Sequence, residues 1–504
     1  MDPRRAFGDG IPPARGPGSS GVEYPHREQD SYFKSEGRPR NAHICVRPRG
    51  THASAHPWKN SGNLVPEMTT TGEPNTRQKV LRAVVTLPFV TVCGLAFGFT
   101  AGVLCFLMLS SNAPATRDYI IYWATAQQLT HHANPYDQLA VTRIERSAGL
   151  PAASQPGFMR NPPWALPLVY PLGFLSARVG WLLWSLLGLA CLAASVRLLW
   201  ILYGRPGNRR YLLGLSFGPA LICLIYGQTS LFALLGLVLF LRLHRSHPFL
   251  AGISLWLCAL KPHLFLPFGV ALVAWVLISK SYKLVAGAAA AMAASCAIAF
   301  LIDPLAWTQY SQFVHSSGIE REYIPCLSFL LRDWLSPHSI WLQYLPAAVG
   351  CVWALAYFWP RRHAWDWMED GSPLMLVSIL AAPYSWIYDQ GLVIPALLRG
   401  AFRTRFQSLL IALAFLSALV EVALFRSISH PTAMALWTYW TAPAWLVWYL
   451  IACTPSTRCA KAWSTLRAMA RLQARHAQTV CSCESGVPGE KQRADRVEDK
   501  LHGE

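Results

Sequence analysis

Twelve apolar runs fill the stretch between residues 83 and 452, separated by short polar segments. The first covers about Ala83 to Leu109. The others cover about 179–203, 211–226, 229–243, 249–260, 263–279, 284–302, 344–359, 374–384, 391–402, 409–425 and 433–452. The pattern predicts an all-α integral membrane fold, a polytopic helical bundle with about 12 membrane segments. Several runs are short. Twelve residues of helix rise about 18 Å against a hydrocarbon core of about 30 Å. Such runs predict half-helices meeting at a pocket, or parts of one kinked span. The breaks fall at Lys261-Pro262 and between Pro383 and Asp389.

Basic residues orient this pattern. With the N-terminus in the cytoplasm and each run crossing once, 34 Lys and Arg fall inside and 9 outside. Without the tails the inner loops still lead, 12 to 9, through Arg205, Arg209, Arg210, Arg242, Arg245, Lys280, Lys283, Arg361, Arg362, Arg399, Arg403 and Arg405. This is the positive-inside pattern, and it predicts an inner (plasma) membrane protein with both termini cytoplasmic. In that topology Asp118, Gln228, Lys261, His263, Tyr384, Tyr388 and Asp389 lie on or near the external face. Polar residues that interrupt apolar runs at one membrane depth are functional candidates by default.

Composition agrees with the pattern. Hydrophobic residues make up 53% of the 504 and charged ones 14%, about half the charge share of a soluble chain. The net charge of +18 reads as Lys and Arg held against anionic headgroups, and predicts the lipid bilayer rather than nucleic acid as a partner. Three regions follow: a basic disordered tail over 1–79, a polytopic membrane domain over 80–453, and a basic cytoplasmic tail, disordered or partly helical, over 454–504. The first apolar run is too long for a cleavable signal peptide, and Met68 is an alternative start. Of the 13 cysteines, most sit in apolar runs as small hydrophobes, and Cys481 and Cys483 lack His partners at zinc spacing.

The polar segment after the first run, Arg117 to Leu139, spaces Ile120, Ile121, Ala124 and Leu129 with Tyr122 and Trp123 as an amphipathic interfacial helix. Asp118 stands at its N-terminus, either as a plain N-cap or as a functional carboxylate. Asn134-Pro135-Tyr136-Asp137 is a turn signal. Asn161-Pro162-Pro163-Trp164 begins a second interfacial element with an aromatic anchor. Lys261 is either a snorkelling lysine or a cation aimed at a ligand. Tyr384, Trp386 and Tyr388 are either an aromatic belt or a sugar platform. Glu421, inside an apolar run, is expected to pair with Arg426 about one turn onward.

The ordered set of these pieces resembles glycosyltransferase family 87, the polyprenyl-phosphate-mannose-dependent mannosyltransferases of the GT-C superfamily. The likeness rests on Asp118-Tyr119 with Tyr122, on Asn134 to Asp137, and on the paired prolines at 162–163. It continues through Tyr226 to Phe268, which carries a Gly-Gln block, a basic loop and a Lys-Pro turn, and through Ala382 to Leu398. Together these cover residues 80 to 400. The chain departs from the pattern in having Arg117-Asp118 where many GT-C enzymes carry two adjacent carboxylates, and His132-Ala133 where the pattern favours glycine.

The resemblance implies an inverting hexosyltransferase. It would take a sugar, with mannose first and the hexoses glucose and galactose or the pentose arabinofuranose open, from a polyprenyl phosphate sugar donor. The acceptor would be a glycolipid or glycan on the external face. Asp118 matches the catalytic base. One base to deprotonate a hydroxyl and cations for the departing phosphate suffice, so no metal or other cofactor is expected. Lys261, Arg117 and Arg160 are the phosphate candidates. Tyr122, Gln228, His263, Tyr384, Trp386, Tyr388 and Asp389 are candidates for sugar or acceptor binding. Two other classes remain open: a lipid transporter or flippase, since broken helices also describe transporters, and a non-catalytic subunit of a glycan assembly complex.

Overall fold

The computed structural model describes residues 76–109, 118–152, 156–316, 324–427 and 438–454. Most of the expected N-terminal tail, with Met68, lies outside these residues. So do Arg117, Cys481, Cys483 and the chain beyond 454.

Among the described residues all regular structure is helical, in sixteen α-helices of nine residues or more. They are α1 (Thr76–Leu109), α2 (Tyr119–Thr130), α3 (Gln138–Ser147), α4 (Ala177–Leu202), α5 (Gly218–Tyr226), α6 (Ser230–Leu243), α7 (Pro248–Cys258) and α8 (Leu266–Ser279). Then come α9 (Tyr282–Ile302), α10 (Ala306–Ser316), α11 (Leu327–Leu335), α12 (Trp341–Phe358), α13 (Trp367–Ala381), α14 (Ile394–Arg403), α15 (Gln407–Ser427) and α16 (Thr441–Cys453). Polar caps mark several starts. Asp137 accepts from Leu139 N and Ala140 N at 2.9 and 3.2 Å, and Asp366 accepts from Met368 N at 2.9 Å.

Among the described residues six helical stretches are long and apolar enough to cross a membrane: Thr86–Leu109, Ala177–Leu202, Pro262–Ser279, Tyr282–Ile302, Trp341–Arg361 and Gln407–Arg426. Ser230–Leu243, Pro248–Cys258 and Thr441–Cys453 are apolar but shorter. The architecture is that of a polytopic membrane protein, and the count of twelve crossings is not reproduced. The 211–226 run breaks at Ser216-Phe217, and the 374–384 and 391–402 runs become α13 and α14, which are largely buried among other helices. On the outer helices apolar side chains face outward as well: Leu95, Leu183, Leu277, Leu301, Val352 and Phe415 are all exposed. A surface that is apolar on both sides of its helices suits a hydrocarbon solvent.

The centre is built from α5, α6, the turn at Ile387–Val393 and α14, each mostly buried. Helix α7 lies between α6 and α9, α8 lies on α12, and α15 packs on α1 and α5. The α7–α9 crossing depends on two glycines. A side chain at Gly252 would overlap the Leu284 carbonyl, and one at Gly287 the Phe249 carbonyl, so the two backbones touch. Helix α2 corrects an expectation. Tyr119, Ile120, Tyr122, Ala124, Thr125, Ala126, Gln128 and Leu129 are all buried, so it is enclosed by the chain rather than lying one-faced in an interface. Eight buried positions out of twelve cannot share one helical face.

Candidate active site

Three helix breaks deliver the polar side chains. The first ends α5. Gly227 adopts φ +71°, and its N–H and that of Gln228 return to the Cys223 carbonyl at 2.9 and 3.1 Å. The left-handed turn suits glycine, and space requires it too, because a Cβ there would crowd Tyr119. Trp184 Nε1 donates to the Gly227 carbonyl at 2.7 Å, holding the turn from α4. The second break is Lys261-Pro262, where Pro262 has no N–H to continue the helix. Asn161 Nδ2 donates to the Leu260 carbonyl at 2.8 Å and Trp164 Nε1 to the Ala259 carbonyl at 2.9 Å. Asn161 and Trp164 therefore do more than turn and anchor: they satisfy carbonyls stranded by the break. The third is the turn at 387–393, where Asp389 N donates to the Trp386 carbonyl and Asp389 Oδ2 accepts from Trp386 N, both at 2.9 Å.

The side chains from these breaks bond to one another. Lys261 Nζ donates to Asp389 Oδ1 at 2.7 Å, to Gln228 Oε1 at 2.9 Å and to Ser230 Oγ at 3.0 Å. Its ammonium also lies 5.0 Å from the Tyr388 ring centroid. The Ser230 hydroxyl donates to Asp389 Oδ1, and the Tyr122 hydroxyl to Gln228 Oε1 at 3.0 Å. Gln228 Oε1 thus receives a cation and a phenol proton, which fixes the amide so that Nε2 faces the other way. Nε2 donates to Asp118 Oδ2 at 2.6 Å. The Lys261 and Asp389 side chains are only 10% and 2% exposed, so each charge depends on the other and on these hydrogen bonds. Asp118 is half-buried. It occupies the N-cap position of α2 without a side-chain cap bond, its carboxylate turned to Gln228 instead.

Aromatic rings line the same region. His263 stacks on Tyr384 with centroids 3.8 Å apart, Trp386 on Tyr388 at 6.2 Å, and Tyr226 packs on Tyr388 at 6.0 Å. Arg160 lies close enough to the Tyr384 and Tyr388 phenols for their charges to couple. Burial lowers its pKa and the phenols act in the opposite sense. The sequence candidates Asp118, Tyr122, Gln228, Lys261, Tyr388 and Asp389 thus come together, with His263, Tyr384, Trp386 and Arg160 around them. Ser230 and Tyr226 were missed. Both flank Gln228 in the quoted block, but a hydroxyl next to an apolar run carries little signal of its own. Asn134 to Asp137 forms the expected turn, with Asn134 Oδ1 accepting from Tyr136 N at 2.8 Å.

Glu421 does not pair with Arg426. Its carboxyl accepts a hydrogen bond from the Thr100 hydroxyl on α1, while Arg426 is exposed at the helix end. Five residues turn an α-helix by about 500°, which leaves the two side chains about 140° apart. Among the described residues no group of three or more His, Cys, Asp or Glu side chains is placed to hold a metal ion.

The family model of glycosyltransferase family 87 matches residues 158–383. The matched stretch is a little under half of the chain. No curated protein and no solved structure matches the chain. The family 87 stretch holds Arg160, Asn161, Gln228, Ser230, Lys261 and His263, hence two of the three breaks. Asp118, Tyr122 and Asp389 lie outside it and reach it through the hydrogen bonds above. The family 87 match and the apolar helices together support a membrane glycosyltransferase.

Proposed function

We propose that the protein transfers a hexose, mannose most readily, from a polyprenyl phosphate donor to a hydroxyl of a glycolipid or glycan acceptor. The reaction takes place on the external face, with both termini cytoplasmic. Asp118 is the base. It removes the acceptor hydroxyl proton, the acceptor oxygen forms its bond to the anomeric carbon from the opposite face, and the carbon–oxygen bond to phosphate breaks. The polyprenyl phosphate leaves with the electron pair, and the configuration inverts. The observation that carries this reading is the contrast between two carboxylates. Asp389 is buried and holds Lys261, Ser230 and a backbone N–H. Asp118 stands half-exposed at the open end of the same network.

The leaving phosphate meets Lys261 from within the bundle and Arg160 from the first external loop, and Arg117, outside the described residues, is the further cationic candidate. Asp389 already balances Lys261, so the net positive charge at the phosphate comes from the arginines. Gln228, Tyr122, His263, Tyr384, Trp386 and Tyr388 suit a sugar, since amides and phenols bond hydroxyls and aromatic faces cover pyranose C–H groups. An apolar groove of about 640 Å³, lined by Leu255, Cys258, Pro262, Leu266, Val270 and Leu277, begins beside the Lys261 break and suits the prenyl chain. No metal enters the scheme. Asp118→Asn keeps shape and loses basicity, so turnover of the purified variant with a polyprenyl phosphate sugar should fall by about 10²–10⁴ while insertion is unchanged. Near-parental turnover would remove Asp118 as base and sink this reading.

A further inference from the structure

A further cation lies near this site, and nothing in the scheme above uses it. Arg332, on α11, is 4% exposed, and its Nε and Nη1 are buried without a hydrogen-bond acceptor. Its guanidinium lies 4.8 Å from the Phe329 ring centroid. Guanidinium groups are rarely buried without a carboxylate, because an unanswered charge loses its hydration and receives nothing in return. By contrast Lys261 fills its three donor positions within the chain.

The surroundings indicate what could answer Arg332. Ile324, Cys326 and Phe329 form a small cluster on which Tyr384 and Trp386 pack, so Phe329 touches the guanidinium and belongs to the cluster backing the aromatic wall. Ser328 Oγ donates to the Ala382 carbonyl at 2.7 Å, and Gln343 Nε2 to the Pro383 carbonyl at 2.8 Å, which fixes α11 and α12 to the segment leading into that wall. The other side of α11 and the start of α12 present Leu327, Trp334, Leu335 and Trp341, all exposed. Large apolar and indole side chains beside an arginine are the composition of a surface set at headgroup depth.

We propose that Arg332 binds the phosphate of a lipid. The guanidinium charge and its unanswered Nε and Nη1 donors suit phosphate oxygens, and the exposed Trp and Leu side chains accommodate its apolar neighbours. The phosphate belongs to the polyprenyl phosphate donor or to a bilayer phospholipid. The first source rests on the function proposed above and the second does not.

Binding rather than turnover tests the site. The full-length parent and Arg332→Gln, Arg332→Lys and Arg332→Met variants, purified in detergent, are titrated with a polyprenyl phosphate, with the uncharged polyprenol, and with phosphatidylglycerol. Arg332→Met keeps the apolar stem on Phe329, so it reports on charge if the Gln variant folds poorly. The Gln and Met variants should bind one phosphate lipid about 10- to 100-fold more weakly than the parent. The Lys variant should retain part of the affinity, and polyprenol should bind all four proteins alike. A loss confined to phosphatidylglycerol supports the site and leaves the donor reading to stand on Asp118. Equal binding of both phosphate lipids to parent, Gln and Met proteins overturns the proposal but not the donor reading. A parent that binds neither phosphate lipid better than polyprenol overturns both.

Discussion

Two ion pairs show how differently this chain uses charge. Lys261 and Asp389 meet at 2.7 Å with side chains 10% and 2% exposed. Arg403 and Glu369 meet at the C-terminal end of α14, with side chains 43% and 48% exposed. The exposed pair can exchange each partner for water, so its net worth is small. The buried pair cannot, and it persists because helix breaks supply the other bonds: Ser230, Gln228 and the Trp386 N–H. A charge pair placed among broken helices is therefore held by the donors and acceptors those breaks deliver, whereas one at a wet helix end is ordinary surface chemistry. Glu421 offers a third case, a carboxyl in mid-helix with one hydroxyl donor and no cation. An unbroken helix keeps its N–H groups for itself, so none is left for a carboxylate.

The largest expected effect comes from splitting the buried pair. Lys261→Met or Asp389→Leu alone leaves a buried unpaired charge and should destabilise the protein by about 3–5 kcal/mol. The double variant removes both charges and should recover most of that stability while remaining inactive. Thermal unfolding and turnover of the three proteins check this. Active double variant protein would reduce the pair to a structural role, and additive destabilisation would show that the pair is not coupled.

Next in size is Gln228, the bridge from the pair to Asp118. Gln228→Leu should lower kcat by about 10- to 100-fold, since a hydrogen bond to a charged group contributes about 1.5–3 kcal/mol. KM should change less, because orientation of the base is lost before substrate contacts are. A change confined to KM would instead make Gln228 a substrate ligand.

A smaller effect attaches to Glu145, a buried carboxyl outside the candidate spans whose Oε2 accepts from Gly157 N at 3.2 Å. Burial raises its pKa from 4.5 to about 7, with the Gly157 N–H and Arg146 opposing. Between those values the folded protein retains a proton that the unfolded chain has released. Stability of the Gly157 attachment should therefore fall as pH rises from about 4.5 to about 7. Hydrogen exchange at residues 156–161, corrected for intrinsic rates, should show this slope in the parent and a flat profile in Glu145→Gln. The least effect belongs to Arg403→Ala, about 0–1 kcal/mol and weaker still at high salt. A loss comparable to that of Lys261→Met would erase the contrast between the two pairs.

The membrane class, the positions of the apolar runs and the break at Lys261-Pro262 were legible in the sequence. So were Asp118, Gln228, Lys261 and Asp389 as candidates, because a polar residue inside an apolar run has an energetic cost that local composition reveals. A helix-breaking Pro is likewise a local fact. Who meets whom was decided only in three dimensions. Lys261 and Asp389 are 128 residues apart, and Asp118 and Gln228 are 110 apart. Their pairing depends on how α5, α6 and the 387–393 turn converge. Short apolar runs look alike whether they cross a bilayer or fill the centre of a bundle, so the described residues hold six helices long enough to span where the pattern predicts twelve crossings. The enclosure of α2, the Thr100 partner of Glu421 and the solitary burial of Arg332 have the same cause. Hydrophobic period and charge are properties of a segment, whereas burial and partnership are properties of its neighbours.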